Sequence, residues 1–355
     1  MDDLTLVVGG QRLAGWTDVR VTRGCERCPS DFALELTERY PDAPAETNVQ
    51  DGDACEVLLG ADRVITGYVD RYTPSIDARM HKIAATGRGK CQDLVDCSAE
   101  WPGGQIVGAD ALAVAKKLAK PYGISVSSEV KNLKAIPQHN LTIGETAWEV
   151  IERVCRYSAL LAYELADGSL RLAQVGKKRH ASGIVQGQNV QAASFVRSAD
   201  QRFSTYRSFL NSVDTLGDAG EGGNLLATFA DPTVKRHRQL DLITEAPSGG
   251  REWAVKRIKW EAARRFGRAR AVTVTVDSWR DAAGQLWEPN WLVPVALPLL
   301  KLERVDWVIS SVTYRRGMQG TAADLVIMPP QAFQPEPLLN LVEAPLLDVP
   351  AGVAR

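Results

Sequence analysis

Residues 272–276 read Val-Thr-Val-Thr-Val, a strict alternation of apolar and polar side chains that is typical of a β-strand with one buried face. Residues 32–36, Phe-Ala-Leu-Glu-Leu, show the same alternation in the first part of the chain. Each stretch is followed by a polar excursion and three apolar runs, centred on Val57, Val69 and Ile83 in the first region and on Val295, Val312 and Ile327 in the second. This shared order predicts two related β-barrels that arose by duplication, although two unrelated β domains with ordinary strand spacing would give a similar pattern.

The stretch between these two regions has a helical pattern instead. Asp110 is placed to cap one helix, and Thr142 with Glu145 has the Thr-x-x-Glu spacing of a capping box before a second. An Asp-Gly pair at 167–168 lies between two apolar runs, which predicts a β-hairpin. Residues 91–178 are therefore predicted to form a small α+β domain.

The second β region contains one further helical pattern, at residues 251–270. Its apolar residues recur with helical spacing and define a predicted buried face, made of Val255, Ile258, Ala262 and Phe266. Six of the 18 prolines lie between residues 329 and 355, which predicts an extended arm at 331–355 because proline interrupts helices and central strands.

The predicted fold is thus mainly β with α+β inserts. It has a first β-barrel at 1–90, the α+β domain at 91–178, and a second β-barrel at 179–330 with a helical insert at about 240–270. The Pro-rich C-terminal arm follows at 331–355.

Composition excludes several classes of protein. The chain has 42 Lys and Arg residues against 43 Asp and Glu residues, so it has no chain-wide basic field for nucleic acid. The most apolar uncharged run, residues 289–300, is shorter than the roughly 20 residues that a membrane span needs. Six cysteines in 355 residues do not form a disulfide scaffold, and we expect them to be reduced in a cytoplasm. The sequence predicts neither a secretion signal nor membrane insertion.

Three motifs suggest chemistry at first sight, and each lacks a necessary part. Cys25-x-x-Cys28 has no second pair of ligands, as structural zinc requires. The chain has four histidines, His81, His139, His180 and His237. Their spacing is not that of paired metal ligands, and the sequence places no nucleophile near them. Gly87-Arg88-Gly89-Lys90 has Ala84 where a Walker loop needs its first glycine. We therefore predict no catalytic, metal-binding or cofactor-binding residues, and no small-molecule substrate.

Two residue clusters remain open to interpretation. Residues 251–270 carry eight Lys and Arg residues against two Glu residues, which fits a solvated helix face, a surface for an acidic partner or a nucleic-acid contact. Six of the nine tryptophans lie within about 55 residues, and they are Trp253, Trp260, Trp279, Trp287, Trp291 and Trp307. Tryptophan is common in interfaces, but core packing also accounts for such residues.

The order of several short motifs resembles one family, the baseplate hub proteins of Mu-like bacteriophages. The resemblance in the second β region rests on Val276-Asp277-Ser278-Trp279-Arg280, Gly284-Gln285-Leu286-Trp287, Val293-Pro294-Val295, Trp307-Val308-Ile309, Gly320-Thr321 and Leu325-Val326-Ile327. Upstream it rests on Glu145-Thr146-Ala147-Trp148-Glu149, Asp167-Gly168-Ser169-Leu170, Asp231-Pro232-Thr233-Val234-Lys235-Arg236 and Glu252-Trp253-Ala254. The ordered set, from about residue 2 to residue 335, carries the resemblance rather than any single motif.

The resemblance implies a structural protein and not an enzyme. Hub proteins of this family, which is related to the hub module of type VI secretion spike proteins, form a trimeric ring. The ring joins the hexameric tail tube to the trimeric spike of a contractile tail and lets the genome pass at ejection. The implied partners are two further copies of the chain, the spike, the tube and other baseplate proteins, with DNA contact only in the pore. The implied location is the virion tail baseplate, with assembly in the host cytoplasm.

Two other functions stay open from the sequence alone. One is a tail-tip cell-wall hydrolase, and the other is a nucleic-acid-binding tail component that would use residues 251–270.

Overall fold

The computed structural model describes residues 3–37, 49–76, 81–136, 138–210, 225–244 and 250–334. The protein is mainly β with a small helical content, as the sequence predicts. The strands of the first region are β1 (Leu4–Val8), β2 (Gln11–Leu13), β3 (Asp18–Gly24), β4 (Asp31–Thr37), β5 (Ala54–Leu59), β6 (Asp62–Ile76) and β7 (His81–Gly89).

The middle region alternates short helices and strands. In chain order they are α1 (Gln92–Asp96), β8 (Gln105–Val107), α2 (Ala111–Ala119), β9 (Val126–Ser128), β10 (Gln138–Asn140), α3 (Ala147–Tyr157), β11 (Leu161–Glu164) and β12 (Leu170–Ala173). Single 3-10 turns occur at Lys120–Tyr122, Pro298–Leu300 and Pro330–Phe333.

The last region returns to strands around one long helix. Its elements are β13 (Lys178–Arg179), β14 (Ile184–Val185), β15 (Val190–Arg197), β16 (Thr205–Leu210), β17 (Leu225–Ala230), β18 (Gln239–Thr244), α4 (Gly250–Arg268), β19 (Arg270–Val276), β20 (Trp291–Leu297), β21 (Leu302–Gly317) and β22 (Gly320–Met328).

One 14-stranded sheet runs through both β regions. Its main order is β15-β19-β22-β21-β3-β4-β7-β6-β5-β1-β2, and β20 joins it by pairing with β21, β13 and β14. The two regions meet where β21 pairs antiparallel with β3, from Ser311 opposite Gly24 to Arg316 opposite Val19. Among the described strands this order is open, so the two regions are parts of one sheet rather than two closed rings of hydrogen-bonded strands.

Five strands of the first region and five of the second have the same pairing order. In the first unit β3-β4-β7-β6-β5 pair in that order, and in the second unit β15-β19-β22-β21-β20 do so, all antiparallel. The registers also correspond, since Leu34 faces Ala85 in one unit and Val274 faces Leu325 in the other. Bulges occur at equivalent places, after Val69 in β6 and after Ile309 in β21.

One apolar core lies beneath both units, because the alternation of β4 and β19 directs every second side chain inward. Phe32 and Leu34 of the first unit and Val272 and Val274 of the second are at most 1% exposed and belong to the same buried cluster. Trp279 joins them, with its indole N–H donating to the carbonyl oxygens of residues 315 and 322.

The middle region has a core of its own, in which α2 and α3 pack beside β9 and β12. Asp110 caps α2 as predicted, since its carboxylate accepts a bond of 2.7 Å from the backbone N–H of Ala113. The predicted capping box is displaced by four residues, because Thr146 and Glu149 form it at the start of α3. The Glu145 carboxylate instead accepts from the Thr142 N–H at 3.2 Å and pairs with Arg153.

The predicted helical insert contains a strand of a small sheet as well as a helix. The helix ends at Arg268, and Arg270 already belongs to β19. The first residues of the predicted helical span, 240–244, belong to β18, which pairs with β16 in a separate three-stranded sheet that also contains β17. Tyr206 of β16 packs against Ile258 and Ala262 of the helix, so this small sheet covers the apolar face of α4.

The prediction of an extended C-terminal arm is wrong for its first residues, 331–333. Residues 330–333 form a 3-10 turn that packs on α4, with Ala332 and Phe333 at most 1% exposed. The Trp260 indole N–H donates to the Gln334 carbonyl at 2.7 Å, and a Cβ at Gly267 would lie 2.2 Å from the Ala332 nitrogen. The rest of the predicted arm, residues 335–355, lies outside the described residues.

Candidate functional site

The buried pair His180 and Asp281 comes nearest to a catalytic arrangement. Nδ1 of His180 lies 3.1 Å from Asp281, and its other ring nitrogen, Nε2, lies 3.3 Å from the backbone N–H of Glu288. Burial lowers the pKa of His180, although Asp281 opposes that effect. A neutral ring that donates from Nδ1 and accepts at Nε2 satisfies both contacts, so no ring nitrogen is left to activate a nucleophile.

Of the other histidines whose side chains are described, none forms a catalytic group with His180. His139 lies 3.4 Å from an Arg153 nitrogen, and burial together with that guanidinium lowers its pKa. His237 is exposed, and the side chain of His81 lies outside what the structure describes. The described residues contain no group of three or more His, Cys, Asp or Glu side chains that could hold a metal ion.

Cys25 and Cys28 face different surroundings. The Cys25 thiol is buried near the Ile309 carbonyl at 3.9 Å, and burial raises its pKa well above the usual range. Cys28 instead packs against the core of the middle region, which includes Cys91. The two thiols therefore do not converge as a ligand pair.

The Gly87-Arg88-Gly89-Lys90 motif belongs to strand packing and not to a phosphate loop. A Cβ at Gly87 would lie 2.5 Å from the Phe32 ring, so the absence of a side chain allows two strands to approach. Arg88 is bonded to Asp70 and Asp96, at 2.7 and 2.8 Å. The Lys90 ammonium donates to the Gly123 carbonyl at 2.7 Å.

The basic helix α4 buries the face predicted for it. Ile258, Ala262 and Phe266 are at most 2% exposed, and Val255 is partly buried. Glu261 accepts from Arg257 at 2.8 Å and from Arg265 at 2.6 Å, and together these arginines hold the pKa of Glu261 below its usual range.

Other arginines of the helix are also engaged within the chain. Arg268 pairs with Glu26, and the Arg264 guanidinium lies 5.6 Å from the Trp260 ring centre. Of these contacts, the pair with Glu26 joins the helix to the first β region, and the others lie within the helix.

The tryptophan cluster is largely core. Trp279, Trp287, Trp260 and Trp307 are at most 7% exposed. Trp291 is partly buried beside His180, with ring centres 4.9 Å apart. The Trp253 side chain lies outside what the structure describes.

A cleft of about 600 Å³ opens where the middle region meets both β units. Two ion pairs lie in its lining, since Arg23 lies 2.8 Å from Glu288 and Arg171 lies 3.2 Å from Glu129. The lining carries more positive than negative side chains, with five Lys or Arg residues against three Asp or Glu residues. In the part of the chain that the structure describes, no helix has the length and apolar character needed to cross a membrane.

The feature that sequence reasoning missed is a pair of open strand edges. β15 is the last strand at one end of the large sheet, and most of it is exposed, including Val196 at 60%. Residues 73–76 of β6 extend beyond its partner β5, are all exposed, and end in Ile76 at 84%. Alternation identifies such strands in a sequence, but it does not show which of them ends a sheet.

Family comparisons match most of the chain to phage baseplate proteins. Residues 3–89 match the N-terminal domain of the Mu phage baseplate assembly protein GpP-like family, and residues 251–336 match the fourth domain of GpP. Residues 91–174 match the second domain of the baseplate hub protein gp44-like family.

Whole-chain comparisons agree with these matches. The baseplate hub protein gp44 of Escherichia phage Mu is 27% identical over 318 residues, which are 87% of this chain and 83% of that protein. The structure of the 43 kDa tail protein of prophage MuSo2 from Shewanella oneidensis is 31% identical, with a TM-score of 0.83 over 94% of this chain and all of that one.

A type VI secretion component of E. coli, the c3393 protein, shares the fold at 8% identity and a TM-score of 0.59, over 95% of this chain and 80% of that one. The sequence resemblance is thus confirmed, and the chain belongs to the baseplate hub protein family of Mu-like bacteriophages.

Proposed function

We propose that this protein is the structural hub of a contractile tail baseplate. In this proposal three copies form a ring that joins the hexameric tail tube to the trimeric spike, and the genome passes through its centre. The observation that carries the proposal is the repeated five-strand unit. Three chains with two equivalent units each would offer six similar surfaces to a sixfold tube and still match a threefold spike.

The proposed domain organisation follows from the same repeat. Residues 1–90 and 179–330 are two related barrel-like domains from a duplicated ancestor, joined within each chain through β21 and β3. Residues 91–178 form the α+β domain between them, and β16, β17, β18 and α4 form the insert of the second. We propose that its partners are those the family implies, namely the spike, the tube and other baseplate proteins, and that assembly takes place in the host cytoplasm.

We propose a structural role without catalysis. Both ring nitrogens of His180 are engaged, so the buried His-Asp pair does not favour a cell-wall hydrolase. The ion pairs of α4 likewise do not favour a nucleic-acid reader. DNA would meet the protein only in the pore.

Solution mass tests the proposal directly. Light scattering at high protein concentration should give three times the chain mass of 38.7 kDa for the protein alone, and that mass plus the mass of the spike when the cognate spike protein is present. Negative-stain images should show rings with a central opening. A mass of one chain under both conditions, with no rings, would refute the hub function.

Two assays separate the alternatives. Purified protein should release no fragments from cell walls in a muralytic assay, whereas a hydrolase would. It should also retain no duplex DNA on a filter at low salt, where a basic nucleic-acid-binding surface holds most strongly.

A further inference from the structure

Within one chain, the two units contact each other through a pair of strand edges. The equivalent pair of edges has no such contact among the described strands. Within the chain, β3, the first strand of unit one, pairs with residues 311–316 of β21 in unit two. The strand equivalent to β3 is β15, and the segment equivalent to 311–316 lies at the end of β6. Among the described strands, β15 pairs only with β19, and residues 73–76 pair only with β7.

We infer that β15 of one copy pairs with residues 73–76 of β6 in the next copy, repeating between chains the β21–β3 contact within each chain. This inference rests on the proposed ring, and it names the surface that closes it. Such a contact is head-to-tail, because it joins two different edges, and head-to-tail contacts generate rings when the rotation closes.

Burial supports this assignment. In β3, which has its partner, Val19, Val21 and Thr22 are buried. The equivalent residues of β15 are Ala193, Phe195 and Val196. Ala193 and Phe195 are only partly buried, and Val196 is 60% exposed. The equivalent strands thus differ in burial, since β3 is covered by its partner strand and β15 is exposed. A neighbouring copy that paired with β15 would account for this difference.

The composition of the two edges also fits pairing with another chain. Monomeric proteins usually protect edge strands with charges, proline or bulges. β15 carries no charge before Arg197, and its one bulge lies at the far end, between Val190 and Ala192. On the other edge Pro74 is one such protective residue, but residues 73–76 carry no charge, and exposed Ile76 supplies apolar area.

The internal contact fixes the expected register. Thr313 faces Thr22 within the chain, and their hydroxyl oxygens lie 3.2 Å apart. The equivalent pair between chains is Thr73 and Val196 of the neighbouring copy. Arg316 faces Val19 within the chain, so Ile76 should face Ala193 of the neighbouring copy.

Cysteine cross-linking tests this register. Thr73→Cys with Val196→Cys in one chain places two exposed thiols opposite each other across every interface, so mild oxidation should give a covalent trimer on non-reducing gels. Thr73→Cys with Ile143→Cys is the matched control, because Ile143 is fully exposed in the middle region. Wild type shows the background from its own cysteines. Control-level cross-linking in the test pair would overturn the inference.

A charge on the edge gives an independent readout. Val196→Lys and Ile76→Lys change exposed side chains, so each chain should melt like wild type but lose the trimer peak in light scattering. Ile143→Lys should keep that peak. If wild type forms trimers and both edge variants still do, the edge assignment is wrong and the hub proposal stands. If wild type stays a single chain with the spike present, both are wrong.

Discussion

Removing the carboxylate of Glu164 should destabilise the junction between the first β unit and the middle region. This side chain, at the end of β11, is 4% exposed. One of its oxygens accepts from the Ser30 N–H and the other from the Cys91 N–H, both at 2.8 Å. It thus links a loop of the first unit to the start of the middle region.

The cost follows from the two backbone donors. Each N–H group left buried without an acceptor costs about 1–3 kcal/mol, so Glu164→Ala should lower the free energy of unfolding by roughly 2–6 kcal/mol. Glu164→Gln keeps one acceptor and should lose about half as much. Glu152→Ala is the control, because that side chain is half exposed and its pair with Arg156 should contribute less than about 1 kcal/mol.

Urea denaturation at neutral pH, followed by tryptophan fluorescence and circular dichroism, measures these differences. Gly89 provides a second test, because the three atoms nearest to a Cβ built there all belong to Glu164, at 1.9 to 2.3 Å. Gly89→Ala should therefore destabilise wild type more than it destabilises Glu164→Ala. If Glu164→Ala is as stable as wild type, or if the two changes add independently, the carboxylate does not hold this junction.

Further predictions concern the insert, the buried histidine and the C-terminal turn. Ile258→Asp places an unpaired charge in the core beneath α4 and should cost about 3 kcal/mol or more, seen as a lower melting temperature, whereas Lys259→Asp on the exposed face should not. Burial lowers the pKa of His180, so the unfolded chain binds a proton at this residue more readily than the folded chain does. Wild type should therefore lose stability relative to His180→Gln as the pH falls below about 6.5. A difference in unfolding free energy between the two proteins that stays constant from about pH 8 to about pH 5 would contradict this. Gly267→Ala should displace residues 330–333, because the new Cβ would lie 2.2 Å from the Ala332 nitrogen, and faster proteolytic loss of the C-terminus would report it.

The strands and the buried face of α4 could be predicted because each follows from a local period. Val272, Val274 and Val276 are at most 1% exposed, as their alternation indicates, and Ile258 lies in the core as its helical spacing indicates. The capping box was predicted four residues early, because Thr142 with Glu145 and Thr146 with Glu149 have the same spacing. Only the position where the backbone turns helical decides between them.

Features that depend on distant partners could not be predicted from the sequence. The pairing of β21 with β3 joins residues almost 300 positions apart, and no local pattern encodes it. The engagement of His180 by Asp281 and a backbone N–H depends on the same long-range folding. The basic stretch 251–270 was ambiguous for this reason, since its partner Glu26 lies in another region of the sequence.

The two copies of the repeated strand suggest how duplication and assembly are linked. β3 and β15 occupy the same place in their units, yet β3 carries Arg20 and Arg23 while β15 carries Ser194 and Arg197 at those positions. The buried Arg23 pairs with Glu288 of the other unit, so the contact within the chain has acquired its own fixed charge pair. Arg197 is exposed, and in the proposed ring its equivalent partner would belong to the neighbouring molecule. A contact formed once per chain by folding can use a buried ion pair, because its partner is always present. A contact completed only on assembly leaves its edge strand in water until the neighbour arrives, and four of the five exposed side chains of β15 are small or polar, namely Gln191, Ala192, Ser194 and Arg197.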